Sequence, residues 1–262
     1  MQIYTKKTLT DALIRISEKG WILNGRRGNA GGVGNTLEDL LGITENNLPL
    51  PNAAEWELKA QRTGTSALTT LFHMEPSPRA MKLVPAVLLP IYGWKHQQAG
   101  TKYPASERSF RQTVSASGTD RGFCLVNDKA NRRIVISFNV AAVDPRHDEW
   151  LHCIKQKAGP GELDPQPYWG YDDLSSKART KLLNCFYVKA EVRKENRQEY
   201  YHYTEIYRCS DFSFEKFLTR LEEDIVYVDF DARTGHNHGT KFRLRQTDDT
   251  MQTLYDNVER IL

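Results

Sequence analysis

The sequence Asn-Ala-Ala-Glu-Trp-Glu-Leu-Lys at residues 52–59 alternates charged and apolar side chains over its second half. In a β-strand, Glu55, Glu57 and Lys59 would share one face, while the tryptophan and the leucine between them would point into apolar packing. Two carboxylates beside an ammonium suit a divalent metal ion and a phosphate, because carboxylates ligate the ion and a lysine stabilises charge on the attacking water or the phosphoryl oxygens. On this pattern alone, a solvated edge strand with alternating charges is slightly favoured.

The length and composition indicate a globular protein with a sizeable core. The chain has 262 residues, of which 39% are apolar and 26% charged, so it forms one large domain or two small, closely joined ones. No apolar run approaches the length of a bilayer span, and the N-terminus lacks the order of a signal peptide. These features predict a cytoplasmic protein.

The cysteines and the net charge exclude few of the possible functions. The four cysteines (Cys124, Cys153, Cys185 and Cys209) are scattered without a C-x-x-C pair, which predicts reduced, mostly buried thiols rather than structural zinc or disulfides. The net charge of +3 does not itself indicate a nucleic-acid-binding protein. It permits one if the basic residues cluster on one face.

Periodicity and capping signals predict a mixture of helices and strands. The first helix is expected over residues 8–20, capped by Thr8 or Thr10 and ended by Gly20. Further helices are expected at residues 36–42, 173–181, 214–223 and 249–262, with an extended segment at 47–51. Strands are expected at residues 52–59, 66–72, 122–126, 133–139, 182–192, 225–231 and 240–245.

A glycine-rich loop with two arginines lies at residues 24–35. It fits neither the Walker pattern nor a Rossmann turn, which should follow a strand. Its glycines allow close approach of a ligand, and Arg26 and Arg27 suit a polyphosphate backbone such as DNA. An ordinary flexible surface loop explains it equally well.

A second basic segment covers residues 233–245. His236 and His238 are two residues apart, but no third ligand in the sequence completes a metal site. A hairpin tip with histidine and arginine suits a DNA groove, where arginine can read guanine through two hydrogen bonds. Taken alone, a solvated hairpin with ordinary surface charge is favoured.

Taken in order, these segments resemble the MvaI/BcnI family of restriction endonucleases, monomeric relatives of the mismatch-repair nickase MutH within the PD-(D/E)XK superfamily. The resemblance extends from the first helix to the last, although residues 95–210 match only in general layout. Thr-Leu-Phe-His at 70–73 and the terminal segment are nearer to the BcnI branch. The matching segments are Gly34–Leu41, Glu45–Leu48, Glu57–Lys59, Thr70–His73, His236–Arg243 and Tyr255–Leu262.

The resemblance implies an α/β (α+β) fold: a PD-(D/E)XK nuclease core, with a mixed central sheet flanked by helices. It also implies a MutH-like two-lobe architecture with a DNA-binding cleft. Residues 1–95 would form the catalytic lobe and residues 96–262 the DNA-recognition lobe, either closely joined or as one compact domain with a cleft.

The family's metal-binding carboxylates fall on Glu38, Asn52 and Glu57, with the catalytic lysine on Lys59, and imply one or two Mg²⁺ ions. Position 52 departs from the family pattern, which has aspartate five residues before the glutamate of E-x-K. A neutral amide is a weak substitute for a bridging carboxylate. Either Glu55 replaces the missing acid, or, as we favour, the natural residue is aspartate and this chain is an inactivated variant.

The resemblance also implies the residues that contact double-stranded DNA. His73 and His236 would read the central base pair of a CC-(S or N)-GG site, with His238 less surely among the readers. Asp229 would accept from a cytosine amine and Arg243 donate to guanine. The backbone contacts are expected from Arg26, Arg27, Asn35 and Lys241. The protein would be a monomer that cuts the two strands in succession, with a cognate DNA methyltransferase in the host.

Two other functions stay open on the sequence. One is a MutH-like nicking enzyme that depends on a repair partner. The other is a DNA-binding protein with a decayed active site, an alternative that depends on Asn52.

Overall fold

A computed structural model describes residues 4–26, 31–43, 55–245, 247 and 249–262. Its α-helices are α1 (Lys6–Glu18), α2 (Gly32–Leu40), α3 (Asp148–Ala158), α4 (Tyr171–Leu182) and α5 (Phe214–Glu222). Its strands are β1 (Ile22–Leu23), β2 (Glu57–Arg62), β3 (Thr69–His73), β4 (Trp94–Lys95), β5 (Arg108–Val114), β6 (Arg121–Asp128), β7 (Arg133–Val143), β8 (Tyr168–Gly170), β9 (Asn184–Glu195), β10 (Gln198–Phe212), β11 (Val226–Arg233), β12 (His236–Asn237), β13 (Lys241–Leu244) and β14 (Tyr255–Arg260). Val84–Tyr92 forms a π-helical segment, and short 3₁₀ turns occupy Arg79–Met81, Pro145–His147 and Gln252–Leu254.

The chain divides into two compact units, neither of which is continuous in sequence. The first contains residues 1–69, 178–216 and 246–262, and the second contains residues 70–177 and 217–245. The predicted boundary between residues 95 and 96 therefore lies inside the second unit. None of the helices in the described part of the chain is long and apolar enough to cross a membrane.

The first unit is built on a mixed five-stranded sheet, as the α/β interpretation predicts. The strand order is β1-β10-β9-β2, and β14 also pairs with β10. β2 runs parallel to β9, whereas the other pairs are antiparallel. The helices α1 and α2 bury Leu9, Leu13 and Leu37 in the core of this unit.

The strand that carries the E-x-K motif has the predicted alternation. Trp56 and Leu58 are buried, and the Trp56 ring lies 4.9 Å from the ring of Phe186 on β9. Within the described residues, β2 begins at Glu57, and Glu55 lies in an exposed turn before it. The predicted start of the strand at residue 52 and the extended segment at 47–51 lie outside the described residues.

The first helix begins earlier than the sequence predicts. Its N-cap is Thr5, whose hydroxyl accepts from the Thr8 amide at 3.2 Å, while the Thr5 amide donates to the Thr8 hydroxyl. This reciprocal capping box places Thr8 inside the helix, so the predicted caps at Thr8 or Thr10 are wrong. Gly20, just past the end, has φ of +69° and supports the predicted stop.

The predicted C-terminal helix over residues 249–262 is wrong. A short 3₁₀ turn there leads into β14, which pairs with β10 so that Val258 lies opposite Cys209. Met251, Leu254 and Tyr255 are buried and have the three-to-four-residue spacing that also marks a helix face. The hydrogen-bonding edge of β10 outweighs that local pattern, because pairing there satisfies the backbone of both strands.

The second unit contains two sheets. One has the order β3-β13-β11-β5-β4, with β12 paired to β11 in a hairpin, and the other has the order β6-β7-β8. Aromatic rings fill its interior, and Phe110 packs edge-on against both Phe123 and Phe230. Across both units, Cys185 and Cys209 are buried, Cys124 is half-buried and Cys153 is exposed, so the prediction of mostly buried thiols is right for two of the four cysteines.

Candidate active site

Glu57 is a buried carboxylate held between two lysines. Its side chain is 1% exposed, and Lys59 Nζ lies 2.7 Å from Oε1 while Lys181 Nζ lies 3.0 Å from Oε2. Lys59 is two residues further along β2, and Lys181 comes from the last turn of α4. A carboxylate buried this deeply needs close cationic partners, and the two lysines compensate its charge.

Glu38 lies on α2, the helix that packs against β2. It is half-buried, and its backbone carbonyl accepts from Leu41 and Ile43 at the end of the helix. Asp39 beside it is exposed and takes two hydrogen bonds from Arg26, at 2.9 and 2.6 Å. The Arg26 guanidinium holds the pKa of Asp39 below its ordinary value. The surface role expected of a helix carboxylate thus belongs to Asp39.

The other candidates of this unit are only partly described. Asn35 is half-buried on α2. Arg26 is paired with Asp39 in the structure, whereas Arg27 and Asn52 lie outside the described residues. Of the four predicted catalytic residues, the structure brings Glu57 and Lys59 into contact, and it adds Lys181 to them.

The chemistry of Glu57 fits a magnesium ligand, because Mg²⁺ prefers carboxylate oxygens. Among the residues that the structure describes, no group of three or more His, Cys, Asp or Glu side chains is placed to hold a metal. The candidate set needs position 52, which is outside those residues, so the described part supplies one buried carboxylate with its two lysines.

A polar cluster holds both ends of the glycine-rich loop. The Asn24 amide donates to Tyr201 Oη at 3.0 Å, and Arg62 donates to both oxygens of Glu199 at 3.0 Å. A Cβ on Gly32 would lie 2.7 Å from Tyr201 Oη and 2.9 Å from Asn24 Nδ2. Burial and the hydrogen bond to Glu199 raise the pKa of Tyr201 to about 12, so its hydroxyl keeps its proton at neutral pH. Glycine at the start of α2 is therefore needed to make room for the cluster.

Acidic and basic side chains alternate across three strands of the second unit. Asp229 on β11 accepts from Arg243 Nη1 on β13 at 3.1 Å and from Thr113 Oγ1 on β5 at 3.0 Å. Two residues along, Asp231 accepts from Arg111 at 2.6 Å and from Lys241 at 3.3 Å. This pattern places Lys241 and Arg243 on one face of β13, whereas Arg245 lies beyond the end of that strand.

The three predicted histidine readers all lie in the second unit. His73 is exposed at the end of β3, and His236 and His238 are exposed at the hairpin tip. The His236 and His238 rings are stacked, with centroids 6.2 Å apart and planes 13° from parallel. The structure therefore places the described catalytic candidates in the first unit and the candidate base readers in the second.

Sequence reasoning missed Lys181, Arg111 and Thr113. No spacing signal could reveal Lys181, because the lysine reaches Glu57 from a helix distant in sequence. Arg111 and Thr113 alternate on a strand as charged or polar residues do on any solvated face. Only their pairing partners on β11 show that they belong to the same face as Asp229 and Asp231.

Comparisons with known proteins identify the family and the fold. The sequence model of the MvaI/BcnI restriction endonuclease family matches residues 10–255. A solved complex of restriction endonuclease MvaI with its cognate DNA substrate has a TM-score of 0.76 at 24% identity and covers 99% of this chain and 100% of that one. Restriction endonuclease MvaI without DNA gives a TM-score of 0.53 at 24% identity, with both chains fully covered. The comparison with curated proteins gives no match. The fold is thus that of a PD-(D/E)XK-type nuclease.

Proposed function

Because this chain belongs to the MvaI/BcnI restriction endonuclease family, we propose that it is built to hydrolyse double-stranded DNA with Mg²⁺ at a short CC-(S or N)-GG-like site. The similarity to an MvaI–DNA complex supports a DNA substrate. The observation that carries the proposal is the buried Glu57 carboxylate, which lies between the Lys59 and Lys181 ammonium groups. Glu57 and Lys59 are in contact on one face of the strand, as the spacing of the E-x-K motif predicts.

In this proposal Glu57, residue 52 and Glu38 would hold the magnesium, which when bound would polarise the phosphate and activate a water molecule. Lys59 sits on the same strand face as Glu57 and presents its ammonium to the developing negative charge. Lys181 contacts the other oxygen of Glu57 and so fixes the direction in which the carboxylate points. Both lysines keep the buried carboxylate oriented before DNA arrives.

Recognition is assigned to the polar face of the second unit. Asp229 holds the Arg243 guanidinium at 3.1 Å, which orients it for two hydrogen bonds to guanine. His73, His236 and His238 are the proposed readers of the central base pair, and their exposure at strand ends leaves their rings accessible. Arg26, Arg27, Asn35 and Lys241 are the proposed contacts to the DNA backbone.

Asn52 decides whether this chain cuts DNA or only holds it. We propose that aspartate is the natural residue, since a neutral amide cannot supply the charge of a bridging carboxylate. Plasmid cleavage with Mg²⁺ by the protein and by its Asn52→Asp variant tests this. We expect cleavage only by the variant, and equal activity of both would refute the inactivation.

The same assay distinguishes the alternatives. A monomeric restriction enzyme in the Asn52→Asp form should linearise the plasmid by cutting its strands in succession, and sequencing the ends of a genomic digest would give the site. Weak nicking that needs an added partner would favour a MutH-like enzyme instead. Specific binding without cleavage by this variant would favour a DNA-binding protein with a decayed active site. Only an active enzyme would require a methyltransferase that protects the host DNA.

A further inference from the structure

We propose that Glu75 is a positioning residue that fixes the histidine hairpin beside His73 and thereby sets which central base pair the protein accepts. The hairpin tip comprises residues 236–240. This inference rests on the proposed function, because it concerns how the recognition group is built. Glu75 itself touches no base in this proposal and acts through the tip.

The Glu75 carboxylate accepts three hydrogen bonds from the hairpin tip. The Thr240 amide donates to Oε1 at 3.0 Å and the Thr240 hydroxyl donates to Oε2 at 3.0 Å. The Asn237 side-chain amide donates to Oε1 at 3.2 Å. Thr240 is only 1% exposed, so water cannot easily replace the lost acceptor if Glu75 is removed. One carboxylate therefore ties two positions of the tip to the segment that follows β3.

The backbone around Glu75 is anchored independently of its side chain. The Met74 amide donates to the Thr240 carbonyl at 2.9 Å, and the Trp169 indole donates to the Met74 carbonyl at 3.0 Å. The end of β3, which carries His73, consequently keeps its place when the Glu75 side chain changes. The same Met74–Thr240 bond keeps Thr240 at the end of β3, so a substitution at Glu75 should shift residues 236–239 of the tip relative to His73.

The tip lies close enough to His73 for this to matter. At Gly239, with φ of +83°, a Cβ would lie 3.7 Å from both His73 Nδ1 and Glu75 Oε1. On the other side of the tip, the His238 amide donates to the Asp231 carbonyl at 3.0 Å. Because base reading depends on hydrogen-bond geometry, loosening the Glu75 side should change the spacing between His73 and the two stacked histidines.

The test compares Glu75→Met with Glu162→Met. Methionine has a similar length but removes both acceptor oxygens. Glu162 provides a matched control, because it also accepts from backbone amides (Phe138 and Leu163) and a hydroxyl (Ser137), in a different sheet of the same unit. Glu75→Gln serves as the conservative variant, since its carbonyl retains the Oε1 contacts and its amide can donate to the Thr240 hydroxyl.

The readouts are binding to three duplexes and amide exchange. The duplexes share a CCNGG site with a central C·G pair, a central A·T pair, or a central C·G pair with one outer pair changed. We expect Glu75→Met to reduce discrimination at the central pair by about fivefold or more while preserving discrimination at the outer pair. Glu75→Gln should retain most of the central discrimination, Glu162→Met should retain all of it, and only Glu75→Met should speed exchange at the Thr240 amide.

Asn237→Ala gives a second variant in case Glu75→Met does not fold. Asn237 is exposed, and removal of its side-chain amide breaks only one of the three hydrogen bonds that Glu75 accepts. It should reduce central-pair discrimination in the same direction. Unchanged discrimination in the folded Glu75 and Asn237 variants would overturn this assignment alone. A parent protein indifferent to the central pair would instead overturn the proposed reading of that pair by His73, His236 and His238, and the positioning role with it, while leaving a CC-N-GG site.

Discussion

Arg26 and Asp39 form an exposed ion pair beside the predicted catalytic helix position Glu38. Their side chains are 34% and 45% exposed, so the pair contributes little to stability, about 0.2–1 kcal/mol. Its importance lies in competition, because a DNA phosphate would have to take the same guanidinium from Asp39. Asp39 therefore occupies the position on Arg26 that a phosphate of the DNA backbone would take in the proposed complex.

We therefore predict opposite effects for the two partners. Arg26→Ala should weaken binding to all duplexes alike and lower the slope of log K against log salt by about 0.9. Asp39→Asn should tighten binding a few-fold on all duplexes, because it weakens the Arg26–Asp39 pair and removes a negative charge that repels the phosphates. Fluorescence anisotropy across a salt series measures both. A loss restricted to one sequence in Arg26→Ala would contradict the backbone assignment.

Lys181 offers a test of the buried group around Glu57. Lys181→Met should lower the free energy of unfolding by about 1.5–3 kcal/mol, because it removes one of the charged partners of a carboxylate that is 1% exposed. Chemical denaturation at neutral pH measures the change. The control is Lys177→Met, one turn earlier on α4, which should change stability by less than about 0.5 kcal/mol. Equal effects would show that Lys181 acts through the helix surface rather than through Glu57.

For individual residues, the sequence predicts which side chains share a face of one helix or strand, but it does not predict contacts between side chains of different elements. Glu57 and Lys59 were predictable, because strand alternation puts residues i and i+2 on one face. Lys181 was not, because its position depends on how α4 ends next to β2. The pairing of Asp229 with Arg243 likewise depends on the register of β11 and β13, which a single sequence does not specify.

The helix α2 contains two glycines with opposite structural roles. Gly32 faces the hydrogen-bonded Asn24 and Tyr201 side chains, whereas at Gly34 a Cβ would meet no described heavy atom within 4 Å apart from its chain neighbours and the backbone of its own helix. Gly32→Ala should lower the free energy of unfolding by about 1–3 kcal/mol, because the methyl group must displace that cluster. Gly34→Ala should raise it by about 0.5–1 kcal/mol through higher helix propensity.

Thermal or chemical denaturation measures both changes. Each alanine variant serves as the control for the other, since both substitutions add one methyl group to the same helix. Stabilisation by both substitutions would show that the cluster tolerates the methyl group. Destabilisation by both would place a constraint on Gly34 that the described contacts do not contain.

Element prediction failed where long-range pairing competed with local pattern. The first helix was predicted within two residues at each end, because its apolar spacing and capping threonines are local signals. The last segment has a comparable apolar spacing but becomes β14, because β10 offers it an unpaired edge. Nothing within residues 249–262 distinguishes these outcomes.

The discontinuous units make a prediction about the whole molecule. A cut between residues 95 and 96 separates β2 from β9, β1 from β10 and β3 from β13. We expect the isolated fragments 1–95 and 96–262 to lack cooperative unfolding and to recover it when mixed, because the five-stranded sheet and the sheet that contains β3 both need strands from the two fragments. Circular dichroism and calorimetry measure this. A cooperative transition in fragment 96–262 alone would show that the second unit does not need β3.

Family and fold class could be recognised from ordered motifs, whereas the units could not be delimited. The E-x-K strand, the glycine-rich loop and the histidine hairpin occur in a fixed order along the chain, and that order is a property of the sequence. Which strands pair is a property of the three-dimensional fold. His73 illustrates the difference, since it lies before residue 95 yet belongs to the second unit.

The parallel pairing of β2 with β9 has a consequence for how the protein is made. The two strands are separated by about 120 residues, so the ribosome must translate at least that many further residues after β2 before β9 can emerge. Closing so long a loop makes this pairing slow as well as late. The nascent chain therefore carries Glu57, the proposed magnesium ligand, without the neighbouring strand of its sheet until β9 has been made. For the proposed nuclease, such a delay would keep the DNA-cutting site unassembled until that point of translation.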